Sequence, residues 1–157
     1  GLDPADPEIM NKPPRKLGES ILNNKRQLNL LIQGLLLTAG SLSSFIIALN
    51  VLGTGLEKAR TIIFATLVLS QLLHALNFRS ETKTLLSKNS FLNQFLLLAI
   101  GGALLLQIGI INIPFFQPIF HTVTLQLKDW SLIVLISLAS VIAIDIIKIT
   151  KITDRFL

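Results

Sequence analysis

The stretch Phe91–Ile113, FLNQFLLLAIGGALLLQIGIINI, decides the fold. It carries no charged side chain and is dominated by Leu, Ile, Ala and Gly. A helix rises about 1.5 Å per residue, so this run is long enough to cross a hydrocarbon core of about 30 Å. Pro114 and Pro118 follow it and oppose continuation, because a proline ring removes the backbone N–H. Three more apolar runs have the same character, about Leu28 to Leu52, Thr61 to Phe78 and Trp130 to Ile147. The expected fold is an all-α membrane protein, a bundle of four transmembrane helices in which neighbours run antiparallel.

Composition agrees. Of 157 residues 51% are hydrophobic and only 15% charged, where a soluble domain carries roughly a quarter. A charge at the bilayer centre costs at least ~2.5 kcal/mol on insertion scales, so immersion in lipid accounts for the shortfall. The length fits one domain. With no cysteine there is neither a disulfide framework nor a thiolate metal site.

The net charge of +5 describes topology rather than nucleic-acid binding. A nucleic-acid surface gathers its charge on one face beside stacking aromatics. Here the charges fall between apolar runs, tyrosine is absent, and most phenylalanines lie in or beside those runs. Lys12, Arg15, Lys16, Lys25, Arg26, Arg79, Lys83, Lys88, Lys148, Lys151 and Arg155 collect on one side of the expected membrane. Lys58, Arg60 and Lys128 collect on the other. Eleven against three puts both termini in the cytoplasm by the positive-inside rule. Residues 1–27 read as a polar, Pro-rich cytoplasmic leader without the apolar core of a signal peptide. The first residue is Gly1, so an upstream portion is expected to precede it.

Small residues mark close helix contacts in lipid, where packing replaces the hydrophobic effect. Gly40, Ser44 and Ala48 recur every four residues on one helix face, and Gly101 and Gly102 sit mid-span in the third run. Thr122 to Lys128 alternates polar and apolar residues, which predicts an extended stretch before Trp130, placed as an interfacial aromatic anchor.

Polar side chains inside the spans are the first place to look for function, since lipid cannot satisfy them. The second span has the richest set: Ser70, His74 and Asn77 on one stripe, with Gln71 one position round. By residue count Gln71 lies near the bilayer middle, and its carbonyl oxygen suits a hard cation, which prefers oxygen ligands. Interhelical hydrogen bonding is the simpler role for the whole stripe. His74 has no Cys, His or carboxylate companion in its span and reads as a packed residue rather than a metal ligand. Asp145 and Lys148 read as an ion pair at a helix end, with a proton relay through Asp145 as the second reading. Asn50 and Gln107 are single polar positions with hydrogen bonding as their default. There is no phosphate-binding Gly-rich loop, no nucleophile–base arrangement and no carboxylate near mid-span. No catalytic or cofactor-binding residue is expected in this chain.

Three motifs in order carry a resemblance. Asp6-Pro7-Glu8-Ile9-Met10-Asn11-Lys12-Pro13-Pro14-Arg15 resembles the loop after the sixth membrane helix of calcium-type P-type ATPases. Glu57-Lys58-Ala59-Arg60-Thr61, Gln71 to Asn77 and Arg79-Ser80-Glu81 are similar to that family's eighth helix. Leu127-Lys128-Asp129-Trp130 and Asp145-Ile146-Ile147-Lys148 are similar to the two ends of its tenth. The resemblance implies helices seven to ten of a ten-helix cation pump, at home in a bacterial plasma membrane. Asp6, Met10, Pro13, Pro14 and Arg15 would then lie in a loop coupling the membrane to the phosphorylation domain. The partners it implies are the upstream helices and phosphorylation domain of the same pump, the lipid and the transported cation. ATP and Mg²⁺ would serve the full-length pump only. Where two-ion members place a Glu in the eighth helix this chain has Gln71, which implies a one-ion pump with Gln71 structural or a marginal ligand. Calcium is the first choice of ion. The alternative reading is an autonomous four-helix membrane scaffold or small subunit without ATPase activity.

Overall fold

Leu-, Ile- and Ala-rich runs become helices in a bilayer because each backbone N–H and C=O must then be bonded within the segment. The computed structural model describes residues 24–77 and 94–150, with side chains placed for 27–76 and 94–147. Its elements are α1 (Asn24–Asn50), α2 (Leu56–Asn77), α3 (Gln94–Asn112), a one-turn α4 (Gln117–Phe120) and α5 (Leu127–Thr150). Four segments are long and apolar enough to cross a membrane: Gln27–Asn50, Leu56–Leu76, Gln94–Asn112 and Leu127–Ile147. The fold is the expected all-α four-span bundle.

The helices start earlier than the apolar runs suggest. α2 begins at Leu56 rather than near Thr61, and α5 at Leu127 rather than Trp130. Hydropathy marks the lipid-immersed part of a span, whereas the helix continues through polar turns whose charges reach water.

The described joints have chemical causes. Gly53 at φ 60° turns the chain out of α1, a left-handed conformation that glycine adopts without a Cβ clash. Thr54 closes the turn by donating both its N–H (3.0 Å) and its hydroxyl (2.9 Å) to the Ala48 carbonyl. Pro114 follows the end of α3, and two last-turn carbonyls there receive side-chain donors: Gln117 Nε2 to Ile111 O (2.8 Å) and Thr122 Oγ1 to Ile110 O (2.9 Å). Residues 122–126 are neither helix nor strand, so the alternating pattern there does not make a β-strand. No second strand lies alongside among the described residues, and Thr122 and Val123 bond to α3 and α2 instead.

α1, α2 and α5 pack mutually, while α3 touches chiefly α2 and α4. Successive crossings reverse direction, so α2 and α5 are parallel. Their register is constant: the Ser137 hydroxyl donates to the Thr66 carbonyl (3.2 Å) across 71 residues, and Lys58 meets Asp129 at the same separation. Ile62 with Ile133, Ser70 with Val141 and His74 with Asp145 continue that register, and all six are buried. The core cluster of Ala48, Ala59, Ile62, Ala65, Ile111, Leu125 and Ile133 lies toward the end of the bundle where α2 and α5 begin. Trp130 packs against this cluster, half-buried.

The two glycine patches part ways. A Cβ on Gly40 would overlap the Ser140 hydroxyl of α5, so the Gly40, Ser44, Ala48 face is a close-packing face; Ser44 and Ala48 are both fully buried. A Cβ on Gly101 or Gly102 would meet nothing within 4 Å. Those glycines serve no close approach among the described residues.

Candidate functional site

The inward faces of α2 and α5 carry hydroxyls where aliphatic side chains would be expected. Thr66, Ser70, Ser137 and Ser140 are buried. Most such groups in the bundle are satisfied by their own helix. Thr66 donates to the Ile62 carbonyl (2.8 Å), Ser140 to Ile136 (2.9 Å) and, on α1, Ser41 to Leu37 (2.9 Å). This back-bonding lets small polar residues be buried without a foreign partner. Ser137 instead donates across to the Thr66 carbonyl of α2, and the Ser70 hydroxyl is fully buried without a hydrogen-bond partner.

The predicted stripe divides. Ser70 and His74 turn inward, His74 with 5% of its surface exposed. Asn77 ends α2, and its side chain lies outside the described residues. Gln71 is exposed on the outward face of the helix, and its side-chain amide makes no hydrogen bond with the described residues. It also sits about a turn beyond the middle of α2, because the helix starts five residues earlier than the hydropathy implies.

Asp145 is buried at 8% exposure, facing the bundle from α5. The Lys148 side chain lies outside the described residues, as do Asp6, Met10, Pro13, Pro14 and Arg15. Among the described residues no three His, Cys, Asp or Glu side chains group closely enough to hold a metal ion. Gln107 takes the expected hydrogen-bonding role: its Nε2 donates to the Ala65 carbonyl (3.0 Å) and ties α3 to α2, while its Oε1 is buried without a partner.

Sequence reading missed the strongest polar contact. Lys58 Nζ lies 2.7 Å from Asp129 Oδ2, with the Asp129 side chain wholly buried and that of Lys58 23% exposed. The same Oδ2 accepts the Gln126 N–H at 2.7 Å, so Asp129 reaches back from the first turn to cap α5, one half of a capping box. The signal was Asp129 three residues after a non-helical stretch. Nothing in the sequence named Lys58 as its partner. An open cleft of about 370 Å³ beside the pair is lined by Gly55, Leu56, Glu57, Lys58 and Val123. The Lys58 ammonium is committed to Asp129.

Four spanning helices joined through buried hydroxyls, an inter-helix ion pair and small-residue packing define a multi-pass helical membrane domain. The chain belongs to a known family: residues 1–150 match the one described as cation transporting ATPase, C-terminus. It is 37% identical over 134 residues to a calcium-transporting ATPase of Bacillus subtilis, covering 85% of this chain and 15% of that protein. Calcium-transporting ATPase type 2C member 2 of Mus musculus is 32% identical over 157 residues, covering 100% of this chain and 16% of its own length. Calcium-transporting ATPase 1 of Saccharomyces cerevisiae is 34% identical over 145 residues, covering 92% and 15%. The chain thus spans about a sixth of the curated relatives it matches. A stand-alone scaffold is not favoured by these matches.

Proposed function

We propose that this chain is the C-terminal membrane support of an ATP-driven calcium pump. α1, α2 and α5 form its packed pillar, and the outward face of α2 meets the ion-carrying helices of the same protein. The observation that carries this reading is Gln71. It is a polar amide on a spanning helix, exposed and without a bond to the described residues, and lipid does not satisfy such a group. A covering helix from the rest of the pump does. Support comes also from the match of residues 1–150 to cation-transporting ATPase C-termini and from relatives named as calcium-transporting ATPases.

Nucleotide and Mg²⁺ chemistry then belong to the rest of the protein, and both ends of this chain lie in the cytoplasm by the positive-inside rule. Asp6, Met10, Pro13, Pro14 and Arg15 contact the phosphorylation domain. The membrane is a bacterial plasma membrane, a reading supported by relatives from two Bacillus species. The test is uptake of labelled calcium by vesicles holding the full-length protein. ATP-dependent accumulation is expected. Vesicles that hydrolyse ATP without taking up calcium, or that prefer another ion, would overturn the assignment of cargo.

A further inference from the structure

We propose that the connector between α3 and α5 is a re-entrant foot that inserts Phe115, Ile119 and Phe120 into the lipid leaflet at its end of the bundle.

The chain path makes the case. Asp129, at the start of α5, is level with Lys58 in the first turn of α2. Yet the Val123 N–H, six residues earlier, donates to Thr61 Oγ1 at 3.1 Å, about 4.5 Å further along α2 by helical rise. Leu125 is buried in the cluster with Ala59, Ile62 and Ile111. The connector therefore dips below the level at which α2 and α5 begin and then climbs back. Non-helical backbone at membrane depth requires internal partners, and this segment has them. Besides Val123, the Thr122 hydroxyl donates to the Ile110 carbonyl (2.9 Å), and Gln117 Nε2 donates to Ile111 O (2.8 Å) and Thr124 Oγ1 (2.9 Å).

The connector presents a run of apolar side chains outward, beside the exposed His121, Thr124 and Gln126. Phe115 is 72% exposed, Ile119 59% and Phe120 49%. Phe116 meets both phenylalanine neighbours edge to face, at 5.3 Å and 6.5 Å between ring centroids, so the group is held as one ridge. A loop standing in water is expected to be polar, but no Asp, Glu, Lys or Arg occurs between Lys88 and Lys128. The ridge also continues directly from the exposed apolar surface of α3, where Leu105 and Leu106 are 72% and 70% exposed. Lipid is the occupant that fits a ridge free of Asp, Glu, Lys and Arg and joined directly to a membrane span.

The experiment places a nitroxide at Phe115→Cys, Ile119→Cys and Phe120→Cys, one at a time, in the full-length protein in phosphatidylcholine vesicles. Cysteines elsewhere in that protein are replaced; this chain contains none. Leu105→Cys is the lipid reference and Lys128→Cys the water reference. Lipid insertion requires apolar oxygen to relax the three labels more strongly than a water-soluble nickel complex does, as at position 105. Stronger relaxation by nickel, as at position 128, would overturn the proposal in favour of an aqueous loop. Weak relaxation by both would overturn it in favour of a protein partner. The proposal requires only that the bundle sits in a bilayer, so it stands or falls separately from the calcium reading.

Discussion

Lys58 and Asp129 join the first turns of two parallel helices by a 2.7 Å ion pair in which the Asp129 carboxylate is wholly buried. Asp129 has no other cation within reach among the described residues, and its Oδ1 is buried without a hydrogen-bond partner. The pair therefore resists the loss of either member. Lys58→Met leaves a buried charge uncompensated and is expected to destabilise the bundle by about 3 kcal/mol, the low end for a broken buried pair because Lys58 keeps some solvent. Lys58→Met combined with Asp129→Leu should recover part of that loss. Thermal unfolding of the full-length protein in mild detergent checks it, and a double variant worse than the sum of the singles would refute the pairing argument.

Gly40 and Ser140 set the approach of α1 to α5. Gly40→Val adds bulk where a single Cβ already overlaps the Ser140 hydroxyl, and overpacking of this kind costs about 1–3 kcal/mol. Ser140→Gly should relieve some of it. Gly101→Ala is the control: with nothing within 4 Å of its Cβ, it should leave stability unchanged.

Gln107 offers a milder test. Its single bond to the Ala65 carbonyl comes with an unpartnered Oε1, and hydrogen bonds between membrane helices average about 0.6 kcal/mol. Gln107→Met is therefore expected to change stability by less than about 1 kcal/mol. A large loss in the same unfolding assay would mean that Oε1 has a partner elsewhere in the full-length protein.

Gln71→Glu adds a negative charge to the outward face of α2. If that face meets the ion path, the full-length pump should bind calcium more tightly or carry a further ion per cycle, because an added carboxylate attracts a divalent cation through space. Calcium-titrated ATP hydrolysis and counted uptake measure both. Unchanged affinity and stoichiometry would leave Gln71 a structural residue.

The isolated chain is expected to form detergent-dependent oligomers rather than a uniform monomer. Gln71 and the apolar face of α3 are exposed in it, and such groups find whatever partner is present. Sedimentation in several mild detergents tests this; one monodisperse monomer throughout would show that the four spans are self-sufficient.

Four spans and their connecting loops are legible in the sequence because helix formation in lipid is a local matter. Each uncharged run must close its own backbone hydrogen bonds, whatever its neighbours do. The small-residue face through Gly40 and the bonding of Gln107 were readable for a related reason: in lipid, a lack of bulk or a polar atom already implies a neighbour. Ends of helices were less visible, since α2 and α5 begin in polar turns that hydropathy does not count.

What the tertiary structure alone decided is which of these side chains face one another. Ser70 and Gln71 are adjacent in sequence, yet one is wholly buried and the other exposed, because about 100° of helical rotation separates them and only packing against α1 and α5 sets which direction is inward. Lys58 and Asp129 are a surface lysine and a loop aspartate to any local reading. A register of 71 residues between α2 and α5 brings them together. Composition and periodicity specify each helix, but rotation and register between helices are set by contacts across the whole chain, and those exist only once the bundle is assembled.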